Sequence, residues 1–281
     1  MTPLEAVARY GSIRAAAREL GMPESTLRGR LGKKTEPVTH CVIPDCQVKE
    51  GVPIQHLEWI GNYIVDKRPD VVVCIGDFWD MPSLSSYDKG KKSFEGRRYK
   101  KDIEAGNNAM DLLMTPLAKA DFHPRLVFTM GNHEHRVIRA IENDSILDGT
   151  IGLEDMELAR WGWEVVPFLK PIEIDGISYC HYFYNPNSGK PYCGTALSKL
   201  KNIGLSFTMG HQQGIDIAMR ELPNGKTQHG LVAGSCYLHD EEYRGPQANG
   251  HWNGIVFKHE VRDGMYDLMQ VSLDFLRRKY S

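Results

Sequence analysis

Residues 126–134 read Leu-Val-Phe-Thr-Met-Gly-Asn-His-Glu. Leu126 to Met130 is a short, mostly apolar run, as expected of a strand buried on both faces. A Gly-Asn-His-Glu turn ends it, and Glu134 to Asn143 reads as a helix. In open α/β sheets, ligands bind outside the carboxyl ends of the strands. Asn132 and His133 therefore stand where chemistry is expected.

Four more junctions share this character. They are Ile43-Pro44-Asp45-Cys46-Gln47, Ile75-Gly76-Asp77-Phe78-Trp79-Asp80, Tyr179-Cys180-His181 and Met209-Gly210-His211-Gln212-Gln213. Taken alone, a Gly-Asp after a strand is usually a turn, and a lone buried histidine is more often a satisfied core residue than a ligand. Five such junctions in order, each at an expected strand end, point to a shared polar site. Around them the chain alternates strands and helices from Val38 onward. Val38–Pro44 and Val71–Ile75 read as strands, Ile54–Lys67 as an amphipathic helix, and a further helix runs to about Met114. The second half reads as strands at 163–169, 177–183, 205–209, 214–219, 229–236, 253–259 and 266–274, with one helix at about 194–202. This pattern implies an α/β domain of two packed sheets with helices outside.

The ordered blocks Asp45-Cys46-Gln47, Gly76-Asp77, Gly131-Asn132-His133-Glu134, His181 and Gly210-His211-Gln212-Gln213 resemble the motifs of the calcineurin-like metallophosphoesterase superfamily. The resemblance covers about residues 38–260. It implies a four-layer α-β-β-α sandwich and two divalent metal ions. Carried over residue by residue, it implies one metal on Asp45, Gln47, Asp77 and Gln213, and a second on Asp77, Asn132, His181 and His211. His133 would stand beside the phosphoryl group as a proton donor. Asp80 would orient His133, although a turn cap explains that residue equally well. Two adjacent cations would activate water and neutralise the charge of an in-line displacement.

The chain departs from the family pattern at Gln47 and Gln213, where histidines are expected. Both departures fall on the first metal, whose protein ligands become all oxygen. Oxygen donors favour manganese first, then magnesium, with iron, zinc or nickel as alternatives. A weak, exchangeable first metal and a tighter second one follow. His229 or His239 could supply a missing ligand instead, or the site could hold a single metal.

Upstream, residues 12–31, SIRAAARELGMPESTLRGRL, resemble the helix-turn-helix of Fis-type and LysR-type modules. Together with a helix over residues 3–10, this predicts a small three-helix bundle over residues 1–34, followed by a linker and a catalytic domain at 38–281. The third helix would lie in a DNA major groove, with Ser25, Thr26, Arg28 and Arg30 reaching bases or phosphates. A docking or oligomerisation bundle is the plainer alternative. Residues 1–34 carry +4, while the whole chain carries −2. Lys89 to Lys101 holds seven basic residues and one acid. Lys91, Lys92, Arg97 and Arg98 in that run would track a phosphodiester backbone, with Phe94 or Tyr99 stacking on bases.

The 281 residues include no long apolar run, and the first twenty lack a signal-peptide core. The six cysteines form no CxxC pair, so a disulfide framework or zinc finger is not expected. These features predict a cytoplasmic protein without a membrane segment, with a homo-oligomer open. GSCYLHDEEY and Trp252-Asn253-Gly254 resemble phage-encoded members of the superfamily. The leading function is a DNA-tethered phosphoesterase acting on nucleic acid. Its rivals are a phosphatase of a small nucleotide or phosphoprotein, and an inactive DNA-binding regulator.

Overall fold

The computed structural model describes residues 6, 9–10, 12–23, 38–240 and 251–281. The chain divides into two compact units, Met1–Pro37 and Val38–Ser281. In the first unit, helix α1 (Ile13–Glu19) starts where the Ser12 hydroxyl accepts the Ala15 amide proton. Ala16 and Ala17 bury against Ala6, Tyr10 and Leu20. Ser25, Thr26, Arg28 and Arg30, with the expected third helix, lie outside the described residues, as does the end of the GSCYLHDEEY stretch.

The second unit is built on two sheets. Its strands are β1 (Val38–Ile43), β2 (Val71–Cys74), β3 (Arg125–Thr129), β4 (Glu164–Val166), β5 (Ile172–Ile174), β6 (Ile177–Tyr179), β7 (Phe207–Met209), β8 (Ile215–Glu221), β9 (Thr227–Ala233), β10 (Gly254–Arg262) and β11 (Met265–Ser272). The first sheet has the order β11-β10-β1-β2-β3-β4, the second β5-β6-β7-β9-β8. Strands β1, β2 and β3 are parallel, with Ile43 beside Cys74 and Cys74 beside Phe128. In the second sheet β6, β7 and β9 are parallel, aligning Tyr179, Thr208 and Leu231. All four residues of β2 are buried, as its unbroken apolar run requires.

The apolar side chains sort by sheet face. Val42, Val73 and Val127 of the first sheet pack with Ile177, Leu231 and Ala233 of the second. The alternate residues Cys41, Val72 and Phe128 pack outward against helices α2 (His56–Lys67) and α3 (Tyr99–Lys119). Helix α4 (Arg136–Asn143) comes after both in sequence, following the β3 turn. Helix α5 (Ala196–Ile203) lays Ala196 and Leu200 against Phe207 and Val232 of the second sheet.

Four elements differ most from the sequence reading. The strands expected at 163–169 and 177–183 shorten to β4 and β6, and β5 forms where none was expected. The strand expected through 274 stops at Ser272, whose hydroxyl caps helix α6 (Leu273–Tyr280) by accepting the Phe275 amide proton. Among the described residues, no helix is long and apolar enough to cross a membrane.

Candidate metal centre

Because β1, β2 and β3 run parallel, Asp45, Asp77 and Asn132 all leave the first sheet at one edge. Strands β6 and β7 deliver His181 and His211 to the same place. The ligand atoms of Asp77, His181 and His211 lie within 4.8 Å of one another. Asn132 Oδ1 is 3.1 Å from His181 Nε2, and Asp77 Oδ2 is 3.2 Å from the same nitrogen. His181 Nδ1 donates to the Ile75 carbonyl at 2.9 Å. That bond turns Nε2 toward the cluster, the nitrogen a metal ligand would use once its proton leaves.

Two glycines make room for the carboxylates. A Cβ on Gly131 would lie 2.1 Å from Asp77 Oδ1, and one on Gly210 would lie 2.2 Å from Asp45 Oδ1. Both Asp45 oxygens accept the His211 amide proton, at 3.1 and 3.0 Å. Asp77 Oδ1 accepts the His133 amide proton at 3.0 Å. Each carboxylate thus ties two strand ends together.

The backbone here is strained. Gln47, Asp77, His211 and Gln213 have φ of 49, 52, 67 and 57°. Such left-handed positions cost about 1–3 kcal/mol each in a non-glycine residue and persist where the surroundings enforce them. Glu134 provides part of that enforcement. It is fully buried, and its oxygens accept amide protons from Asp77 (3.0 Å), Gly131 (2.9 Å), Phe78 (2.7 Å) and Trp79 (3.0 Å). Sequence reasoning named Glu134 only as part of a motif and gave it no task.

The charges are tightly coupled. Burial opposes ionisation of Asp77, yet the facing His133 and His181 hold its carboxyl well below the usual range. Burial raises Asp45 to about 7 despite the pull of His181. Burial also acts against a charged His181, but Asp77 raises it to about 9.

Gln47 and Gln213 are both buried. Gln47 Nε2 lies 3.4 Å from Asp77 Oδ2, while its Oε1 is buried without a hydrogen-bond partner. Half a turn about the last side-chain bond exchanges the two atoms and places a carbonyl oxygen beside Asp77. An orphaned amide oxygen next to a carboxylate fits an oxygen-loving cation. Gln213 Oε1 accepts from the Tyr237 hydroxyl at 3.0 Å, which fixes the amide's orientation. Asp77, His181 and His211, with the orphaned Gln47 oxygen beside Asp77, therefore fit a divalent metal. His229 does not join it. That residue sits near the start of β9, at the opposite end from the site, with its ring on Tyr266. His239 packs on Tyr237 and is outside the Asp77, His181 and His211 group.

Beside the cluster, His133 Nδ1 lies 2.8 Å from Asp80 Oδ1 and 2.9 Å from the Asp80 carbonyl. Lys49 Nζ reaches the other Asp80 oxygen at 3.0 Å. Burial works against the Asp80 anion, but His133 holds its pKa at about 2. His133 and Asp80 line a cavity of about 870 Å³ whose wall also carries Lys91, Arg97 and Arg98. Asp88 pairs with both Lys91 and Arg97, at 2.8 and 2.9 Å. Lys92 is exposed and does not line this cavity. Tyr99 does not line this cavity, and its hydroxyl is held by Asp155 at 2.6 Å and by the Gly152 carbonyl at 3.1 Å. Phe94 is covered by Arg97. The exposed aromatic on the cavity wall is Tyr87, at 79% accessibility.

No family model matches the chain. It is similar to the Gene 54 protein of Mycobacterium phage L5, with 27% identity over 168 residues. That match covers 57% of this chain and spans 64% of the relative's length. Among solved structures it is similar to a dimetal phosphatase from Danio rerio, at 12% identity and a TM-score of 0.41, covering 85% of this chain and 97% of that one. It is also similar to Chaetomium thermophilum Vps29, at 8% identity and a TM-score of 0.38, covering 83% and 97%. The described residues place Asp77, His181 and His211 as a metal-binding triad at the strand ends, consistent with hydrolase activity.

Proposed function

We propose that this chain is a metal-dependent phosphoesterase of the calcineurin-like superfamily, built as an α-β-β-α sandwich and acting on phosphate esters of nucleic acid. The observation that carries the reading is the convergence of Asp77, His181 and His211 from three separate strand ends, with Asn132 Oδ1 at 3.1 Å from His181. Asp45, Gln47, Asp77 and Gln213 would hold one ion, and Asp77, Asn132, His181 and His211 the other. Bound there, two divalent cations supply an activated water and neutralise charge on the phosphoryl group. The all-oxygen first set favours manganese.

The chain's own residues do the rest. Glu134 fixes the Asp77 loop. Asp80 accepts the Nδ1 proton of His133, which leaves Nε2 pointing toward Asp77 Oδ2, 3.7 Å away. His133 Nε2 is therefore the atom placed to hold or pass a proton at the leaving oxygen. The nucleic-acid reading is supported by the cations and Tyr87 in the adjoining cavity. The basic N-terminal unit would add a DNA contact through Ser25, Thr26, Arg28 and Arg30.

A second reading, a small nucleotide ester as substrate, is favoured by the cavity's volume of about 870 Å³, which suits a compact ligand. Turnover of p-nitrophenyl phosphate, its bis ester, and single- and double-stranded DNA with Mn²⁺ separates these readings. DNA cleavage is expected. Turnover of monoesters alone would favour the small-nucleotide reading, and DNA binding with no turnover would favour an inactive regulator.

A further inference from the structure

Arg136 follows His133 by three residues, at the first position of α4. Its side chain is 12% exposed and lines the cavity beside the metal cluster. Two backbone carbonyls hold Nη1, Asp80 O at 2.7 Å and Met81 O at 3.2 Å. Nη2 faces His133 Nε2 at 3.2 Å. A guanidinium has only donors, so this contact is a hydrogen bond only while His133 Nε2 carries no proton, and a proton on Nε2 releases Nη2. The Asp80 carboxylate gives Arg136 little direct compensation. One of its oxygens is 2.8 Å from His133 and 3.6 Å from Arg136, and the other is engaged by Lys49.

We propose that Arg136 grips a non-bridging oxygen of the substrate's phosphoryl group, alongside His133. This inference rests on the phosphoesterase reading and adds a phosphate-binding residue from α4 to it. A neutral imidazole nitrogen is a weak acceptor for a guanidinium, and a phosphate oxygen is a strong one. His133 Nε2 lies 3.2 Å from Arg136 Nη2, so an oxygen that Nη2 takes in its place stays beside the His133 ring. The two carbonyls on Nη1 keep the fork in place before substrate arrives, so little order has to be gained on binding.

The test uses the full chain supplied with Mn²⁺, with inorganic phosphate as the probe in calorimetry and p-nitrophenyl phosphate for kinetics. Arg136→Ala is expected to weaken phosphate binding and raise KM by about 10- to 100-fold, the loss of a charge-assisted hydrogen bond. Arg136→Lys is expected to recover part of that loss, because it keeps the charge without the fork. If Arg136 only holds the Asp80 and Met81 carbonyls, Arg136→Ala lowers kcat and the melting temperature but binds phosphate within twofold of wild type, which overturns the proposal. Should Arg136→Ala not fold, the uncharged Arg136→Gln decides, and phosphate affinity within twofold of wild type again overturns it. A wild type that binds no phosphate overturns it as well. Absence of turnover on every phosphate ester sinks the phosphoesterase reading, whereas the phosphate titration judges Arg136 by itself.

Discussion

Glu134 holds four backbone amides with two oxygens, and every donor belongs to the loops that present Asp77 and Asn132. Glu134→Gln turns an acceptor into a donor facing amide protons. It should cost about 2–4 kcal/mol of stability, read by urea unfolding, and should weaken metal binding at Asp77. An unchanged midpoint would show that the four bonds are not needed. Gly131→Ala acts more locally. Its Cβ would strike the Asp77 carboxylate and backbone amide, so metal binding should be lost while the fold persists, as calorimetry and circular dichroism would show. The identities of Asp45, Asp77, Asn132, His133, His181 and His211 were legible because each follows an apolar run. The tasks of Glu134 and Arg136 were not, since four amide donors and a guanidinium beside an imidazole are facts of tertiary placement. Gln47 reads as a candidate oxygen donor in the sequence, but its orphaned buried oxygen could not be seen there.

At the level of elements, β1 and β10 carry a polar pair into the space between the sheets. Lys258 of β10 is fully buried and donates to the hydroxyls of Tyr179 and Thr208. Burial drives its pKa well below the ordinary lysine value. A base with a lowered folded pKa loses stability as pH falls below its unfolded value, so at pH 7 this lysine is a cost. Lys258→Met should raise stability at pH 7 by about 1–4 kcal/mol, and a lower denaturation midpoint would contradict that. His40 of β1 contacts Tyr179 and Asp175, yet burial and then Lys258 lower it from 6.5 to about 4. Burial also lowers His56, at the start of α2, to about 4. In the window from 6.5 down to 4 the unfolded chain takes up protons that the folded one refuses. Stability should therefore be full above 6.5 and fall by roughly 3 kcal/mol for each histidine toward pH 4. A flat urea midpoint from pH 7 to 4 would refute this. Sequence patterning placed most strands and helices here, but it missed the β5–β6 hairpin. Its Asp175-Gly176 turn, with φ of 50 and 83°, is an Asp-Gly hairpin signal that three-residue strands left without visible alternation. The cap of α6 was hidden in the same way, because the alternation of β11 runs into it.

Across the whole second unit, two sheets bring residues as distant as Asp45 and His211 into hydrogen-bond contact. The order of the five junctions was readable from sequence, since parallel strands share an exit edge. The cavity beside them was not, because Lys49, Arg98 and Arg136 come from three separate segments whose packing no local pattern encodes. The same topology separates His229 from the cluster, although sequence alone left it eligible as a ligand. Metal-dependent hydrolysis at this edge is the claim that the rest depends on. Its most direct test is the bound metal and the rate of bis-p-nitrophenyl phosphate hydrolysis during Mn²⁺ titration of wild type, Gln47→Ala and Asp77→Asn. Wild type should bind two equivalents and turn over, Gln47→Ala should lose the weaker equivalent and slow, and Asp77→Asn should fall to background in both. Equal metal content and equal rate in wild type and Asp77→Asn would contradict the claim.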